Sequence, residues 1–151
     1  QQLIALLFDM NLLFEEYIFR QLCTLRSEEI KISRQQQKEF WNKRYIRPDI
    51  LLKHQDLTYI IDTKWKKLSS AKPSMTDLQQ AFAYGQYFQA KNSILLYPQV
   101  NDLAHLPPKR FQLPNREQQH YCSIYFVKLL KEGKLNLEIG KGLEEYYLSS
   151  K

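Results

Sequence analysis

The sequence predicts an α/β fold in which one mixed β-sheet is flanked by helices. Three observations support this fold class. Two segments have apolar residues at helical spacing, the stretches around them are rich in β-branched and aromatic residues, and the predicted order is helix, strands, helix, strand. The 151 residues, of which 44% are hydrophobic and 25% charged, are expected to form a single domain spanning residues 1–151.

Helices are predicted where apolar residues recur at helical spacing: residues 11–25, residues 75–88 and, as a turn or two, residues 143–148. Asp9 or Asn11 is placed to cap the first helix, since its side-chain oxygen can accept a free backbone N–H. Ser74 stands three residues before Asp77, which approximates the capping box of a helix start.

Strands are predicted at residues 28–32, 44–52, 57–65, 93–97, 121–130 and 135–139. The second and third should form an antiparallel hairpin across a polar connection at residues 53–56. Pro48 donates no ladder hydrogen bond, so its strand is expected to lie at an edge or to be irregular there. Residues 35–42 are ambiguous, and residues 100–118, which contain three prolines, are expected to be mostly loop.

The net charge of +6 is concentrated in one segment. Residues 31–72 contain eleven basic and four acidic residues, so that segment carries +7 and the rest of the chain −1. A local basic excess indicates a polyanionic partner. A solvated charged surface would give the same composition, and composition alone leaves the two interpretations open.

Signals for membrane insertion or secretion are missing from the sequence. No apolar run approaches the ~20 residues of a membrane helix, and residues 3–8 are too short and lack the basic flank of a signal peptide. Cys23 and Cys122 are too far apart to indicate a disulfide framework or a metal site. We expect a cytoplasmic protein with reduced thiols and no membrane partner. The start at Gln1-Gln2 suggests an excised domain or a processed fragment.

The predicted hairpin carries the most informative side chains. Asp49 is expected near the middle of its first strand, and Asp62 and Lys64 near the end of its second. Because side chains alternate along a strand, Asp62 and Lys64 should share a face, ~6.6 Å apart, with Thr63 on the other. A carboxylate and an ammonium after the apolar residues 59–61 are costly to desolvate unless they are paired or bound to something.

Two interpretations of these charges are available. A simple Asp62–Lys64 ion pair leaves Asp49 unexplained, because a second carboxylate beside the first is repelled. A divalent cation resolves the conflict, since Mg²⁺ takes oxygens from one or two carboxylates, with waters and a phosphate completing its shell. Such an ion polarises a phosphate and acidifies a bound water, and Lys64 can offset the charge of the transition state. This pattern favours phosphodiester hydrolysis without a nucleophilic side chain.

The same residues resemble a known signature. Pro48-Asp49, then twelve residues, then Asp62-Thr63-Lys64, is similar to the PD-(D/E)xK motif of metal-dependent nucleases. Five segments resemble, in order, the C-terminal nuclease domain of McrC, a subunit of 5-methylcytosine restriction systems: residues 8–17, 47–50, 61–65, 77–84 and 93–98. The resemblance is strongest over residues 8–98 and implies a restriction-endonuclease-like fold.

The resemblance also implies roles for particular residues. The expected ligands of Mg²⁺ or Mn²⁺ are Glu15, Asp49, Asp62 and the carbonyl of Thr63. Lys64 is expected to position or activate water, and Asp49, Asp62, Lys64 and Glu15 form the catalytic set. Of the adjacent pair Glu15 and Glu16, one is expected to lie on a solvated helix face, and the sequence does not distinguish them.

DNA contacts are expected on both sides of this site. Gln80 and Tyr84 match the QxxxY element of RecB-type nucleases and share one helix face, from which both can donate to a phosphate. The alternative is a polar Gln beside a packed Tyr. Cations expected to bind the DNA backbone are Arg44, Arg47, Lys66 and Lys67, with Arg34, Lys38 and Lys43 nearby.

The sequence therefore predicts a Mg²⁺-dependent DNA endonuclease domain, the cleavage subunit of a modified-cytosine restriction system. McrC-type subunits also engage an NTP-driven partner of McrB type through an N-terminal region that nothing in this sequence matches, so we expect that contact elsewhere. Recognition of the modified base is expected to belong to the partner. Two alternatives stay open: a RecB-like repair nuclease acting on DNA ends, or a non-catalytic relic that binds nucleic acid.

Overall fold

The computed structural model describes residues 9–112 and 119–148. In these ranges the helices are α1 (Met10–Cys23), α2 (Met75–Phe88) and α3 (Ile139–Leu148). The strands are β1 (Ile30–Arg34), β2 (Lys38–Trp41), β3 (Arg44–Ile46), β4 (Ile50–His54), β5 (Leu57–Thr63), β6 (Asn92–Pro98), β7 (Leu106–Arg110), β8 (Tyr121–Val127), β9 (Leu130–Lys131) and β10 (Lys134–Leu135). No helix in these ranges is long and apolar enough to cross a membrane.

Six of the strands form one mixed sheet in the order β1-β4-β5-β6-β8-β7. β1, β4 and β5 are antiparallel neighbours, β5, β6 and β8 are parallel, and β7 returns antiparallel to β8. The parallel step from β5 to β6 needs a crossover, which α2 supplies. The β2–β3 and β9–β10 pairs are separate two-stranded hairpins. The predicted α/β fold with a mixed sheet and flanking helices is confirmed.

The sheet buries a different set of side chains on each face. One face packs against α1 and α3, and its core includes Ile18 and Ile61. The other faces α2, where Ile60 packs with Tyr84. The consecutive residues Ile60 and Ile61 thus belong to opposite faces, as the alternation along a strand requires. Asp62, two residues after Ile60, is therefore directed towards α2.

Both predicted helix starts are confirmed. Asp9 Oδ1 accepts the backbone N–H groups of Asn11 and Leu12, at 3.0 and 3.3 Å, and so caps α1. Ser74 Oγ accepts the N–H of Asp77 at 3.2 Å and caps α2. Because local capping and apolar spacing agree along residues 75–88, the predicted and observed bounds of α2 coincide.

The prediction of one strand at residues 44–52 was wrong. β3 and β4 are separated at residues 47–49, and the buried Pro48 lies in this break, where its missing N–H costs the sheet nothing. Asp49 therefore precedes β4 rather than lying within a strand. The ambiguous residues 35–42 contain β2, which pairs with β3.

Predictions for the last third were the least accurate. Residues 135–139 are not a strand, since β10 ends at Leu135 and α3 begins at Ile139. The expected loop at residues 100–118 contains β7, with Pro107 and Pro108 in a sheet-edge strand, where a lost donor is tolerated. Part of that loop, residues 113–118, lies outside the described residues.

Candidate active site

Three of the four predicted catalytic residues, Asp49, Asp62 and Lys64, lie at the carboxyl end of β5. Asp62 is the last residue but one of β5, and Lys64 follows the strand directly. Ile50 of β4 pairs with Ile61 of β5, so one further step of this register brings Asp49 beside Asp62. The site therefore forms where β4 begins and β5 ends.

Two donors from Thr63 fix the Asp49 carboxylate. Its Oδ2 accepts both the backbone N–H and the hydroxyl of Thr63, each at 2.7 Å. The hydroxyl of Thr63, expected on the other face of β5 from Asp62 and Lys64, thus contacts Asp49 at the strand end. These neutral donors orient Asp49 without cancelling its charge.

Asp62 is buried and incompletely satisfied. It is 1% exposed, and Lys64 Nζ lies 2.7 Å from its Oδ2. Apart from this ion pair, no donor from the described residues bonds Oδ2. Burial raises the pKa of Asp62 to about 7; the charge of Lys64 opposes this rise, and the Asp49 carboxylate adds to it. Asp62 is thus a carboxylate whose charge the protein only partly supports.

A hydrogen-bonded chain holds Lys64 from the side of α2. Lys64 Nζ donates to Gln80 Oε1 at 2.6 Å, and Gln80 Nε2 donates to the hydroxyl of Tyr84 at 2.7 Å. Burial alone would lower the pKa of Lys64, but the facing Asp62 carboxylate outweighs it and the pKa is raised. Lys64 therefore keeps its positive charge. The two α2 residues share one face as predicted, and both belong to the network around Lys64.

Glu15 and Glu16 on α1 have opposite surroundings. Glu16 forms hydrogen-bonded ion pairs with Arg20, at 2.7 Å, and with Arg34, which lower its pKa. Glu15 has its pKa raised, first by burial and then by the negative charge of Asp49. Of the two acids, Glu15 is thus the one whose electrostatic environment includes the site. Its role as a metal ligand stays a prediction.

Hard oxygen ligands dominate the site. Within residues 9–112 and 119–148, no group of three or more Asp, Glu, His or Cys side chains is arranged to hold a metal ion. Mg²⁺ needs no such cage, because one or two carboxylates suffice and waters and phosphate oxygens fill the remaining positions. The neighbouring carboxylates of Asp49 and Asp62 fit Mg²⁺ or Mn²⁺ by ligand type.

The cations expected to bind DNA differ in how they are engaged. Lys66 Nζ lies 2.6 Å from Asp77 Oδ2, which also accepts the hydroxyl of Tyr97 at 2.8 Å. Sequence reasoning treated Asp77 only as a cap and missed this pair. An acid in the first turn of a helix, eleven residues after a lysine, was its one signal.

Lys67, Arg44 and Arg47 remain solvent-facing. All three are exposed, and Arg44 lies in the β2–β3 hairpin. Arg47 lies close enough to Glu15 to oppose the rise in that residue's pKa. Arg47 is thus a residue of the basic segment whose charge acts on an acid near the site.

Two comparisons with known proteins found matches. The family model described as McrBC 5-methylcytosine restriction system component matches residues 1–98. A chain in a solved structure, a refined half-complex from a tetradecameric assembly of Thermococcus gammatolerans McrB AAA+ hexamers with bound McrC, is similar with a TM-score of 0.69 and 20% identity. The match covers 93% of this chain and 33% of that chain, so this chain spans about a third of its length. No match was found among curated proteins.

The two matches support different statements. The structural match, at 20% identity, confirms the restriction-endonuclease-like fold. The family model covers nearly two thirds of the chain, including α1, β4, β5 and α2, and so includes every element that builds the site. The predicted McrC-type resemblance is confirmed at this level: the chain belongs to the McrBC family of 5-methylcytosine restriction system components.

Proposed function

We propose that this chain is the DNA-cleaving domain of a modified-cytosine restriction system, an endonuclease that hydrolyses phosphodiester bonds with Mg²⁺ or Mn²⁺. The observation that carries the proposal is that two carboxylates, Asp49 and the buried Asp62, lie close together at the end of the β4–β5 ladder, with Lys64 2.7 Å from Asp62 Oδ2. Neighbouring carboxylates disfavour each other's ionised form. A divalent cation removes that conflict, and membership of the McrBC family supports the biological setting.

Asp49 and Asp62 would hold the metal ion, with Glu15 and the carbonyl of Thr63 as further ligands. When bound, the ion supplies Lewis-acid polarisation of the phosphate and lowers the pKa of a bound water. The donors of Thr63 keep the Asp49 carboxylate oriented in advance. Orientation fixed before the reaction avoids the cost of reorganising the site during it.

Lys64 supplies the positive charge on the protein side. Its ammonium is held between Asp62 and Gln80, and Tyr84 in turn orients Gln80. In this position Lys64 is suited to hold the attacking water or a phosphate oxygen and to stabilise the negative charge of the transition state. Gln80 and Tyr84 are positioning residues for Lys64 in addition to their expected phosphate contacts.

DNA is the proposed substrate, bound through the basic segment around the site. Arg44, Arg47 and Lys67 are exposed and are the proposed contacts to the DNA backbone, with Lys66 contributing less because Asp77 engages it. Each cation that neutralises a phosphate releases condensed counterions, so binding should weaken as salt rises.

An AAA+ protein of McrB type is the proposed partner. The similar solved structure is described as McrB AAA+ hexamers with bound McrC. This chain covers about a third of the matched chain, so the proposed contact with the motor lies in the remaining part of such a subunit. Recognition of the modified base is assigned to the partner.

The test is cleavage of closed-circular and linear DNA by the purified chain in Mg²⁺, Mn²⁺, Ca²⁺ or EDTA, with and without a McrB-type AAA+ protein and nucleotide. Asp62→Asn is the control for contaminating nucleases. The proposal predicts internal cuts in circular DNA in Mg²⁺ or Mn²⁺. Degradation restricted to free ends would favour the RecB-like alternative. DNA binding without cutting under every condition would favour a non-catalytic relic.

A further inference from the structure

The β2–β3 hairpin, which ends three residues before Asp49, exposes aromatic and basic side chains. Trp41 is 68% exposed and Tyr45 is 55% exposed. Lys43 and Arg44, at and after the turn, are exposed as well. Aromatic side chains interspersed with cations are typical of surfaces that stack nucleobases and bind the backbone between them.

The base of this hairpin is fixed to the end of α2. Lys38 Nζ donates to the carbonyl of Tyr87 at 2.7 Å and lies 5.0 Å from the centre of the Phe88 ring. The rings of Phe40 and Tyr87 are 5.4 Å apart, and Ile46 packs with Phe88 against the buried core. These contacts hold the hairpin in place, so its exposed residues are presented from a defined position.

The turn itself places a cation at the tip. Asn42 and Lys43 have φ values of 39° and 61°, which makes a two-residue turn with two left-handed positions. Asn tolerates this conformation, but Lys43 occupies a position where glycine would avoid strain. The carboxylate of Glu39 stabilises the turn by accepting the N–H of Lys43 at 2.9 Å. Strain of this kind is commonly retained where a side chain has a use.

The hairpin adjoins the site through two connections. Tyr84, in the Lys64 network, lies one helical turn before Phe88, so the anchor is about 6 Å along α2 from it. On the other side, Asp49 follows the end of β3 by three residues. DNA with a phosphate at Asp49 and Asp62 would therefore have the hairpin beside it.

We propose that the tip of the β2–β3 hairpin, Trp41 with Lys43 and Arg44, binds DNA by stacking the indole on a nucleobase beside the phosphate to be cut. This inference rests on the proposed function, since it concerns the same substrate. Every base offers a π-face, so the contact adds affinity without reading sequence. Lys43 and Arg44 bind the flanking phosphates and align the strand over the site.

The test is DNA binding in Ca²⁺ by the parent, Trp41→Ala, Trp41→Phe and the control Leu137→Ala, which removes a side chain that is 70% exposed elsewhere. We expect Trp41→Ala to weaken binding about fivefold or more, Trp41→Phe to retain most of the affinity, and Leu137→Ala to match the parent. DNA should quench the tryptophan fluorescence of the parent more than that of Trp41→Phe, which retains only Trp65.

The outcomes separate this inference from the proposed function. Unchanged affinity of Trp41→Ala with no loss of quenching in Trp41→Phe would overturn the hairpin contact and leave cleavage standing. Weaker binding by Trp41→Ala in a chain that never cuts DNA would support the contact and overturn the endonuclease. A chain that binds no DNA at all would overturn both.

Discussion

Two lysine–aspartate ion pairs lie at the same end of β5, Lys64 with Asp62 at 2.7 Å and Lys66 with Asp77 at 2.6 Å. Burial raises the pKa of Asp62 to about 7. Burial also acts on Asp77, but hydrogen bonds from Lys66, Tyr97 and Ser74 outweigh it and lower the pKa. Nearly equal ion-pair distances therefore accompany opposite pKa shifts of the two carboxyl groups.

The difference lies in the number of donors and in the neighbouring charge. Asp77 accepts from several donors, and its pair with Lys66 joins a loop to α2. Within the described residues, Asp62 Oδ2 contacts one cation, Lys64, and no other donor, and the charge of Asp49 lies nearby. A carboxylate left partly unsupported in the interior is the kind of group found at binding and catalytic sites. We therefore assign a structural role to the Lys66–Asp77 pair and a role in the proposed cleavage to the Lys64–Asp62 pair.

The largest expected effect is on cleavage by Lys64→Ala. Removing a single donor to the transition state should reduce the single-turnover rate ~10²–10³-fold while DNA binding in Ca²⁺ stays near that of the parent. Lys66→Ala, two residues away, is the matched control and should remain within a few-fold. Equal losses in the two variants would contradict the separation of roles.

The next effect is on the stability of the fold and concerns the Lys66–Asp77 pair. Asp77→Ala leaves the buried hydroxyl of Tyr97 without this acceptor, which should cost about 1–3 kcal/mol of unfolding free energy. Lys66→Ala should cost less than about 1 kcal/mol, because that side chain is 43% exposed. Urea unfolding of the three proteins measures both values. A fully stable Asp77→Ala would remove Asp77 from the structural role assigned to it.

The two acids should also respond oppositely to pH in EDTA. The pKa of Asp62 rises from its ordinary 3.8 to about 7 on folding, so the folded chain binds more protons between these values. Raising the pH through this window should therefore destabilise the parent relative to Asp62→Asn. The pKa of Asp77 is lowered on folding, so its contribution is present above about pH 4 and is lost as the pH falls. Unfolding free energies of the parent, Asp62→Asn and Asp77→Asn, measured from pH 3 to 8, would show the two opposite trends. Parallel curves for Asp62→Asn and Asp77→Asn would contradict the opposite pKa shifts assigned to the two acids.

The smallest expected effect is on the salt dependence of DNA binding. If Lys67 neutralises one phosphate, Lys67→Gln should flatten the slope of log affinity against log salt by about 0.9. Lys66→Gln should change the slope less, because Asp77 already engages that ammonium. Titrations of duplex DNA in Ca²⁺ at several salt concentrations would measure this. A larger change for Lys66 would show that DNA displaces it from Asp77.

Local sequence patterns were sufficient to predict much of this architecture. The bounds of α2 followed from Ser74 and apolar spacing, and both signals are local. Asp49, Asp62 and Lys64 were singled out from the charges of the predicted hairpin and from strand alternation, although Asp49 lies before β4 rather than within it. Pro48 carried the signal for that break, and the sequence interpretation gave it too little weight.

Features set by distant contacts were not predictable. Glu15 and Glu16 are adjacent, and what separates them includes the pairing of Glu16 with Arg34, eighteen residues away, and the burial of Glu15 near Asp49. Gly85 is required because a Cβ there would lie 1.8 Å from His120 Cε1. A contact between residues 35 positions apart cannot be predicted from local sequence spacing.

The most direct test of the central claim compares Asp62→Asn with Asp77→Asn on closed-circular DNA in Mg²⁺, after unfolding curves show that both variants are folded. The same isosteric change is made once in each lysine–aspartate pair. We predict that Asp62→Asn loses cleavage by at least about 10²-fold, whereas Asp77→Asn cuts within a few-fold of the parent. Comparable cutting by Asp62→Asn and the parent would contradict the assignment of a metal-dependent cleavage site to the end of β5.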